Sequence, residues 1–401
     1  MTVANLANIP LHLKVQSALG TPATGSGATG IEVRPSQGLA MQVASIESQM
    51  IQTTRMRKRP RQGSRLSNTA YETELTVGSL DTVIEAVLGG TWAAAQALDE
   101  SDWGTLTITG TGATLTFGTG TILTDGVRAG MWARLTNMSE AENNSVWFPI
   151  LETTETVMTI PSGILVDNAE DAAWDIEIAK TVYTADPYTD RYFTVEEYLT
   201  DIDRSKLGTD MKFNTLNFSA QPDQHVTVGF GLVGRDLELL DTGDSPTFTS
   251  PTFVGGPSLT LLDGGIYVNG DLRANLTGFT FGLTAPAQGL PVLDSVTSPD
   301  IFLGQFALAG QFTGAVEDGT DFDAFDAETQ MSVVLHCAEQ GGTASDFISF
   351  YMGDLAFGGW GTGIGGEGAL IQTIPLYGGL DERGEASGYA PTSVLVSTSA
   401  A

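Results

Sequence analysis

The residue types that could do chemistry are present in this chain but scattered. Its three histidines, His12, His225 and His336, lie far apart, and none belongs to an HExxH pair that would set two imidazoles around a metal. Cys337 is the only cysteine, so neither an intramolecular disulfide nor a cysteine-based zinc site can form. Its flanks Val333, Leu335 and His336 read as a strand, and a buried, inert thiol is expected there. Ser245 sits in Gly243-Asp-Ser-Pro, which is not a nucleophile elbow. With 48 Asp and Glu, carboxylate pairs are too common to single out an acid and base for glycoside hydrolysis.

Two motifs invite a ligand and fail on context. Gly361-x-Gly363-x-x-Gly366 and Gly363-x-Gly365-x-x-Gly368 match a dinucleotide fingerprint, which works only where a helix N-terminus receives the pyrophosphate. Ala369–Tyr377 follows with Pro375 and alternating apolar residues, so no helix is offered and a surface loop is expected. The run from Asp318 through Asp321 and Asp323 to Asp326 lacks the central Gly and closing Glu of a calcium loop. It reads as a solvated acidic loop. Asn137, Asn143, Asn217 and Asn275 each open an N-x-[ST] triplet, as chance produces in a Ser/Thr-rich chain. No catalytic constellation, cofactor site or metal site emerges, and the expectation is a non-enzymatic protein.

One cluster does point to a function. The 401-residue chain carries a net charge of −30, yet six of its 18 cations fall at Arg55, Arg57, Lys58, Arg59, Arg61 and Arg65, with no carboxylate between Glu47 and Glu72. From residue 274 onward a single cation, Arg383, faces 15 acids. Acidic surfaces repel nucleic-acid phosphates and identical neighbours alike. A compact cationic patch reverses that sign locally and suits docking onto the acidic surface of another copy. A solvated charge run is the plainer alternative.

The elements that position these residues are mainly β. Apolar content of 41% excludes disorder as the main state, and 48 Gly with recurrent Thr and Ser favour turns and strands. Residues 1–50 read as an extended arm or long loop, then an edge strand. The basic segment contains Pro60 and Gly63 and reads as a loop or strand end. Tyr71, Thr73, Leu75 and Val77 alternate with Glu72, Glu74 and Thr76. One helix follows: Ser79 as N-cap, Asp81 in the first turn, Leu80, Val83, Ile84, Val87 and Leu88 on one face, and Gly89-Gly90 as the stop. Residues 103–179 read as an insertion, a small β-sandwich or barrel with no helix period, between residues 1–102 and 180–401.

From Thr181 onward, strands bury one face and wet the other. Val226, Val228, Phe230 and Leu232 oppose His225, Thr227, Gly229 and Gly231. Phe302, Phe306, Leu308 and Phe312 oppose Gln305, Ala307, Ala309, Gln311 and Thr313. Met331, Val333, Leu335 and Cys337 oppose Gln330, Ser332, Val334 and His336. The wet faces are smooth and mostly uncharged, unlike a Lys/Glu-studded exterior. The opening residues lack a basic start and apolar run, so no secretory signal is expected, and no apolar run of ~18 residues would span a membrane.

The order of several blocks resembles the tail tube (major tail) proteins of long-tailed bacteriophages. They are Arg59-Pro-Arg-Gln-Gly63, Tyr71–Val77, the helix ending Gly89-Gly-Thr-Trp92, Arg191–Glu197 with Leu216–Leu232, Asn269-Gly270 with Gly278–Leu283, Asp300–Gly310 and Gly366–Leu376. The resemblance covers most of residues 40–380 outside the insertion. It implies a β-sandwich-like barrel with one flanking helix, hexameric rings whose inner strands make a continuous barrel, and stacking through extended loops. It further implies a virion tail protein assembled in the host cytoplasm, a sleeve for the tape-measure protein and a conduit for DNA. Tail terminator and distal tail or baseplate proteins would be the end partners, and the insertion would sit outside the tube. On that basis Arg55, Arg57, Lys58, Arg59, Arg61 and Arg65 are the inter-ring candidates, and Glu72, Glu74, Gln305, Gln311 and Thr313 the lumen candidates. The alternative is an extracellular or virion-surface adhesion module that uses the insertion to bind glycans.

Overall fold

Period-2 alternation dominates the chain, and antiparallel strands dominate the computed structural model, which describes residues 9–50, 53–54, 56–317, 319–340, 346–363 and 369–399. Nineteen strands belong to one continuous sheet that folds back on itself. Its broad part runs, strand beside strand, through Gln37–Ile46, Arg61–Glu74, Thr227–Gly234, Arg204–Ala220, Leu276–Thr284, Ala307–Ala315 and Ile371–Gly378. A second layer runs through Thr260–Val268, Met331–Ala338, Phe347–Phe357, Leu395–Thr398 and Lys180–Tyr183. Phe347–Phe357 also pairs with Ile371–Gly378, which joins the layers at one corner.

Apolar faces of the two layers meet in the core. Phe350 of the second layer lies 4.2 Å from Phe218 and 5.5 Å from Phe281 of the broad sheet, ring centre to ring centre. Phe279 stacks on Phe312 at 4.9 Å, with Val228, Phe230, Val333, Leu335 and Val396 filling around them. Each fully buried side chain of this size contributes on the order of 2–3 kcal/mol.

The 17-residue strand Arg204–Ala220 has a different pair of neighbours along each half. Its first half lies between Phe193–Leu199 and Asp236–Leu240, its second between Thr227–Gly234 and Leu276–Thr284. Leu11–Val15 pairs with Phe193–Leu199 and Thr29–Ile31, burying Leu11 and Leu13. The start of the described chain is therefore built into a sheet, where an extended arm was expected; its alternation was too short to stand out against the Gly/Thr/Ser stretch that follows. Gln37–Ile46 does form an edge strand, paired among the described residues only with Arg61–Glu74.

The expected helix spans Asp81–Leu88, with Val83, Ile84, Val87 and Leu88 buried and Gly89 in the left-handed conformation at its end. Leu80, not Ser79, occupies the N-cap position, and no side chain caps the first turn. The Ser79 hydroxyl donates back to the Thr76 carbonyl at 3.0 Å instead. Asp81 takes an ion pair with Lys180 at 2.8 Å, and Glu85 one with Arg191 at 3.0 Å. Two more helices occur among the described residues. Glu100–Trp103 is closed by an Asp99 capping box, and Thr320–Asp326 turns the supposed acidic loop into helix. Asp321 of that helix is buried against Arg273 and Gln372.

Strands of residues 96–178 make two further sheets. Glu152–Thr153, Val157–Thr159, Thr114–Phe117, Leu106–Thr109 and Asn168–Asp171 form one. Gln96–Asp99, Asp175–Ile178, Trp132–Thr136 and Trp147–Pro149 form the other. Trp103, Phe117 and Trp174 cluster between them. Gln96–Asp99 precedes residue 103 but pairs along its whole length with Asp175–Ile178.

This small sandwich packs on the outer side of the second layer, against Val334, Phe347, Tyr351 and Leu395. The face of Met331–Ala338 expected to be wet is consequently covered: Val334 is buried and His336 stacks on Trp132 at 4.0 Å. A second expectation also shifts. Phe302–Ala315 is not one strand; Ile301–Leu303 forms a separate small hairpin with Ala287–Gly289, with Ile301 buried and Phe302 exposed.

Candidate assembly surfaces

Alternation on the broad sheet sends its aromatic residues to the core and its small polar residues outward. Register then lines the outward residues up across strands. One row reads Glu72, Gly229, Asn217, Gly282 and Ala309; the next reads Glu74, Thr227, Ser219, Thr280 and Gln311. The twisted sheet makes this face a shallow trough, lined also by Gln37, Ala70, Thr284 and Ala307, with no Lys or Arg among its lining residues.

Four of the five lumen candidates meet on this face. Glu72 and Glu74 come from one strand, Gln311 and Thr313 from another, and the Gln311 amide donates to the Thr313 hydroxyl at 3.4 Å. Glu72 is not a free charge, since Arg34 pairs with it at 2.9 Å. Gln305 stands apart. The strand begins only at Ala307, and Gln305 faces a different hollow bounded by Val87, Leu88, Phe306 and Leu380.

The cationic candidates sit on the hairpin of Gln37–Ile46 and Arg61–Glu74. Thr227–Gly234 covers Arg61–Glu74 only from Ser67 onward, so the hairpin projects past the body of the sheet. Arg57 pairs with Glu47 across the tip at 2.9 Å, both exposed. Lys58, Arg59 and Arg61 are exposed and have no ion pair among the described residues. Arg65 is already engaged at the hairpin's base, with Asp236 at 3.0 Å and its backbone N–H on the Val296 carbonyl at 2.8 Å. Arg55 lies outside the described residues.

Strand direction fixes what lies at the other end. Glu74 pairs with Thr227, and Leu75 donates to the Val226 carbonyl, so the Gln221–His225 turn lies at the end of the sheet remote from Arg61. Around that far end stand Asp223, Asp263, Asp271, Asp323 and Glu328, all exposed. The far end's Arg273 is consumed by Asp321. The subunit is therefore polar: cationic where the hairpin projects, anionic where the strands end.

Several buried ionic clusters escaped the sequence reading, and those around Glu196, Glu197 and Lys212 hold these elements in place. Glu196 is fully buried and accepts from the Ser205 hydroxyl at 2.6 Å, the Thr247 N–H at 2.6 Å and His12 Nδ1 at 3.2 Å. Burial pushes its carboxyl up, but His12, Ser205 and Thr247 outweigh that and hold it below the usual range. Glu197, on the opposite face of the strand, accepts from the Leu39 N–H at 2.6 Å, Tyr71 at 2.7 Å and Lys206 at 2.9 Å, pinning the edge strand. Burial first and Glu197 second raise the Tyr71 phenol. Lys212, also buried, lies 3.1 Å from Asp190 and 3.5 Å from Asp300. Burial alone would lower its ammonium; the two carboxylates more than offset it and the pKa is raised. Adjacent acids within an apolar strand, Val195-Glu196-Glu197, were the available signal.

Chemically, these clusters fasten strands. Among the described residues no three His, Cys, Asp or Glu are grouped as metal ligands. The Cys337 thiol is fully buried and pushed up to about 12 by burial. What the surface does offer is a smooth trough with no Lys or Arg among its lining residues, a sheet edge with no partner strand among the described residues, and ends of opposite sign.

The family described as phage tail tube protein matches residues 7–378. The chain belongs to that family. No curated protein matches it. As a tail tube protein it is a structural component of the phage tail, and membership implies homo-oligomeric assembly into a tube. The mainly β architecture agrees with the fold expected from the resemblance. No helix among the described residues is long and apolar enough to cross a membrane.

Proposed function

We propose that this tail tube protein closes into rings, hexameric by the family resemblance, that stack head to tail around the tape-measure protein and later pass DNA. The trough of the broad sheet would face the bore. Its lining is small neutral side chains and the Glu72 carboxylate, and Arg34 beside it is already paired with Glu72, so phosphates find no free cation there and a polyanion slides without adhering. The trough's lack of Lys and Arg supports this assignment.

The observation that carries the reading is the ten-residue edge strand Gln37–Ile46, paired on one side only among the described residues. Monomeric proteins blunt or cover so long an edge, and closing a ring by strand pairing removes it. Stacking then uses the opposed charges of the two ends. Each subunit carries −30, so rings repel at a distance, and Arg57, Lys58, Arg59 and Arg61 supply the local attraction. Tail terminator and distal tail or baseplate proteins would bind the two unlike ends. The sandwich of residues 96–178 packs on the side of the core away from the trough, which supports a position outside the tube.

Replacing Arg57, Lys58, Arg59 and Arg61 together by Ser tests the stacking role. The variant is expected to remain folded by circular dichroism and to give rings or short stubs, not long tubes, in negative-stain micrographs. Tubes of normal length from that variant would remove the hairpin from the inter-ring contact.

A further inference from the structure

At the far end of the subunit, a hollow of about 600 Å³ opens between the Gln221–His225 turn and the hairpin of Thr260–Val268 with Asp271–Leu272. Its apolar walls are Leu261, Leu262, Leu272, Leu276 and Phe279, and the one cation in its lining, Arg273, is paired with Asp321. Leu262 and Leu272 are 80% and 59% exposed, an unusual state for two neighbouring leucines on so acidic a chain. Asp223, Asp263 and Asp271 stand exposed beside it. The hollow is apolar at its centre and anionic around its mouth.

The tip of the long hairpin has the converse character. Ile46, Met50 and Met56 are 60%, 72% and 76% exposed, and Arg57, Lys58 and Arg59 follow directly. Methionine adapts its shape to irregular apolar pockets, and the adjoining cations match an acidic mouth. The tip cannot reach the hollow of its own chain. Arg61–Glu74 runs from one to the other, and its thirteen steps at ~3.4 Å separate them by roughly 44 Å.

We propose that this hollow receives the hairpin tip of a second copy, Met50 and Met56 entering between Leu262 and Leu272 while Arg57, Lys58 and Arg59 meet Asp223, Asp263 and Asp271. The proposal rests on the head-to-tail stacking reading and adds to it the acceptor site. The other large apolar hollow, beside Phe302 and Leu380, lies at the hairpin's own end of the subunit, where a stacked neighbour's tip does not arrive.

A chain carrying both Met56→Cys and Leu262→Cys tests the contact inside assembled tubes, and the buried Cys337 leaves little background. Mild oxidation of such tubes should give a ladder of covalent oligomers beyond the dimer, because a head-to-tail contact propagates. Either cysteine alone should give no ladder. Tubes of normal length that yield no ladder would overturn the acceptor site and leave stacking intact; an unmodified chain that forms no tubes would overturn both. As a second arm, Lys58→Asp with Arg59→Asp, and separately Asp263→Lys with Asp271→Lys, should each lower tube yield ~10-fold, and all four together should restore it. Failure of the combined variant to recover, with each chain folded by circular dichroism, would equally count against the site.

Discussion

His336 is held neutral by its surroundings: Trp132 stacks on its ring and Phe347 lies 5.3 Å away. Burial pushes its imidazole down to about 3, while in the unfolded chain a histidine takes up its proton near 6.5. Between those values the unfolded state holds one more proton than the folded state, so stability falls as the pH drops. His336→Phe removes this one contribution and leaves those of the carboxylates. From pH 7 to pH 5 the unmodified chain should lose about 2 kcal/mol more than the variant, measured by urea titration at both pH values. Equal losses would mean that water reaches the imidazole and that the sandwich does not seal this face. Sequence alone placed His336 on a wet face because the strand alternates correctly; what covers the second face comes from residues 96–178, which no local pattern links to it. The adjacent acids Glu196 and Glu197 left a mark in the sequence, but their partners were illegible for the same reason. His12 and Glu196 are 184 positions apart, and Tyr71 and Glu197 are 126 apart.

Among the elements, the helix Asp81–Leu88 shows what local pattern can and cannot specify. Its apolar face and its stop follow directly from i, i+3, i+4 spacing and from Gly89. Its start does not, since the Ser79 hydroxyl donates to the Thr76 carbonyl rather than accepting from the N–H groups of the first turn. Asp81 and Glu85 instead bind Lys180 and Arg191, ties that only the folded chain supplies. The stop is the sensitive point. Gly89 adopts φ of +63°, and a Cβ there would collide with the Tyr188 ring. The backbone term alone costs about 1–2 kcal/mol, and the displaced ring adds to it. Gly89→Ala should therefore lower the melting temperature by several degrees, read by calorimetry, whereas Thr91→Ser, exposed two residues further on and keeping the hydroxyl that accepts from Arg191 at 3.1 Å, should leave it nearly unchanged. A melting point unmoved by Gly89→Ala would show that the helix end can relax past Tyr188. The acidic run teaches the complementary lesson: Thr320–Asp326 is too short for a period to register, and it is a helix because Asp321 is anchored by Arg273.

On the scale of the whole molecule, two cores meet along one face. The larger fills the space between the broad sheet and the second layer, and the smaller fills residues 96–178 and laps onto that layer. The chain leaves and re-enters the larger unit at a single point, where Ala93 and Thr181 exchange hydrogen bonds of 2.8 and 3.2 Å. Such a junction lets the smaller unit be removed without breaking the larger unit's strand order. Replacing residues 95–179 by a two-residue Asn-Gly turn should uncover Val334, Phe347 and Leu395 and give an aggregation-prone chain, since all three are now buried. Changing those three to Thr in the same chain should restore solubility, read by light scattering. Neither the trough, the edge strand nor the hairpin tip uses a residue of the removed segment. The trimmed, soluble chain is therefore expected to form tubes of unchanged bore and reduced outer diameter. A folded, monodisperse chain that forms no tubes would place the small sandwich in the contact between subunits rather than on the tube's exterior.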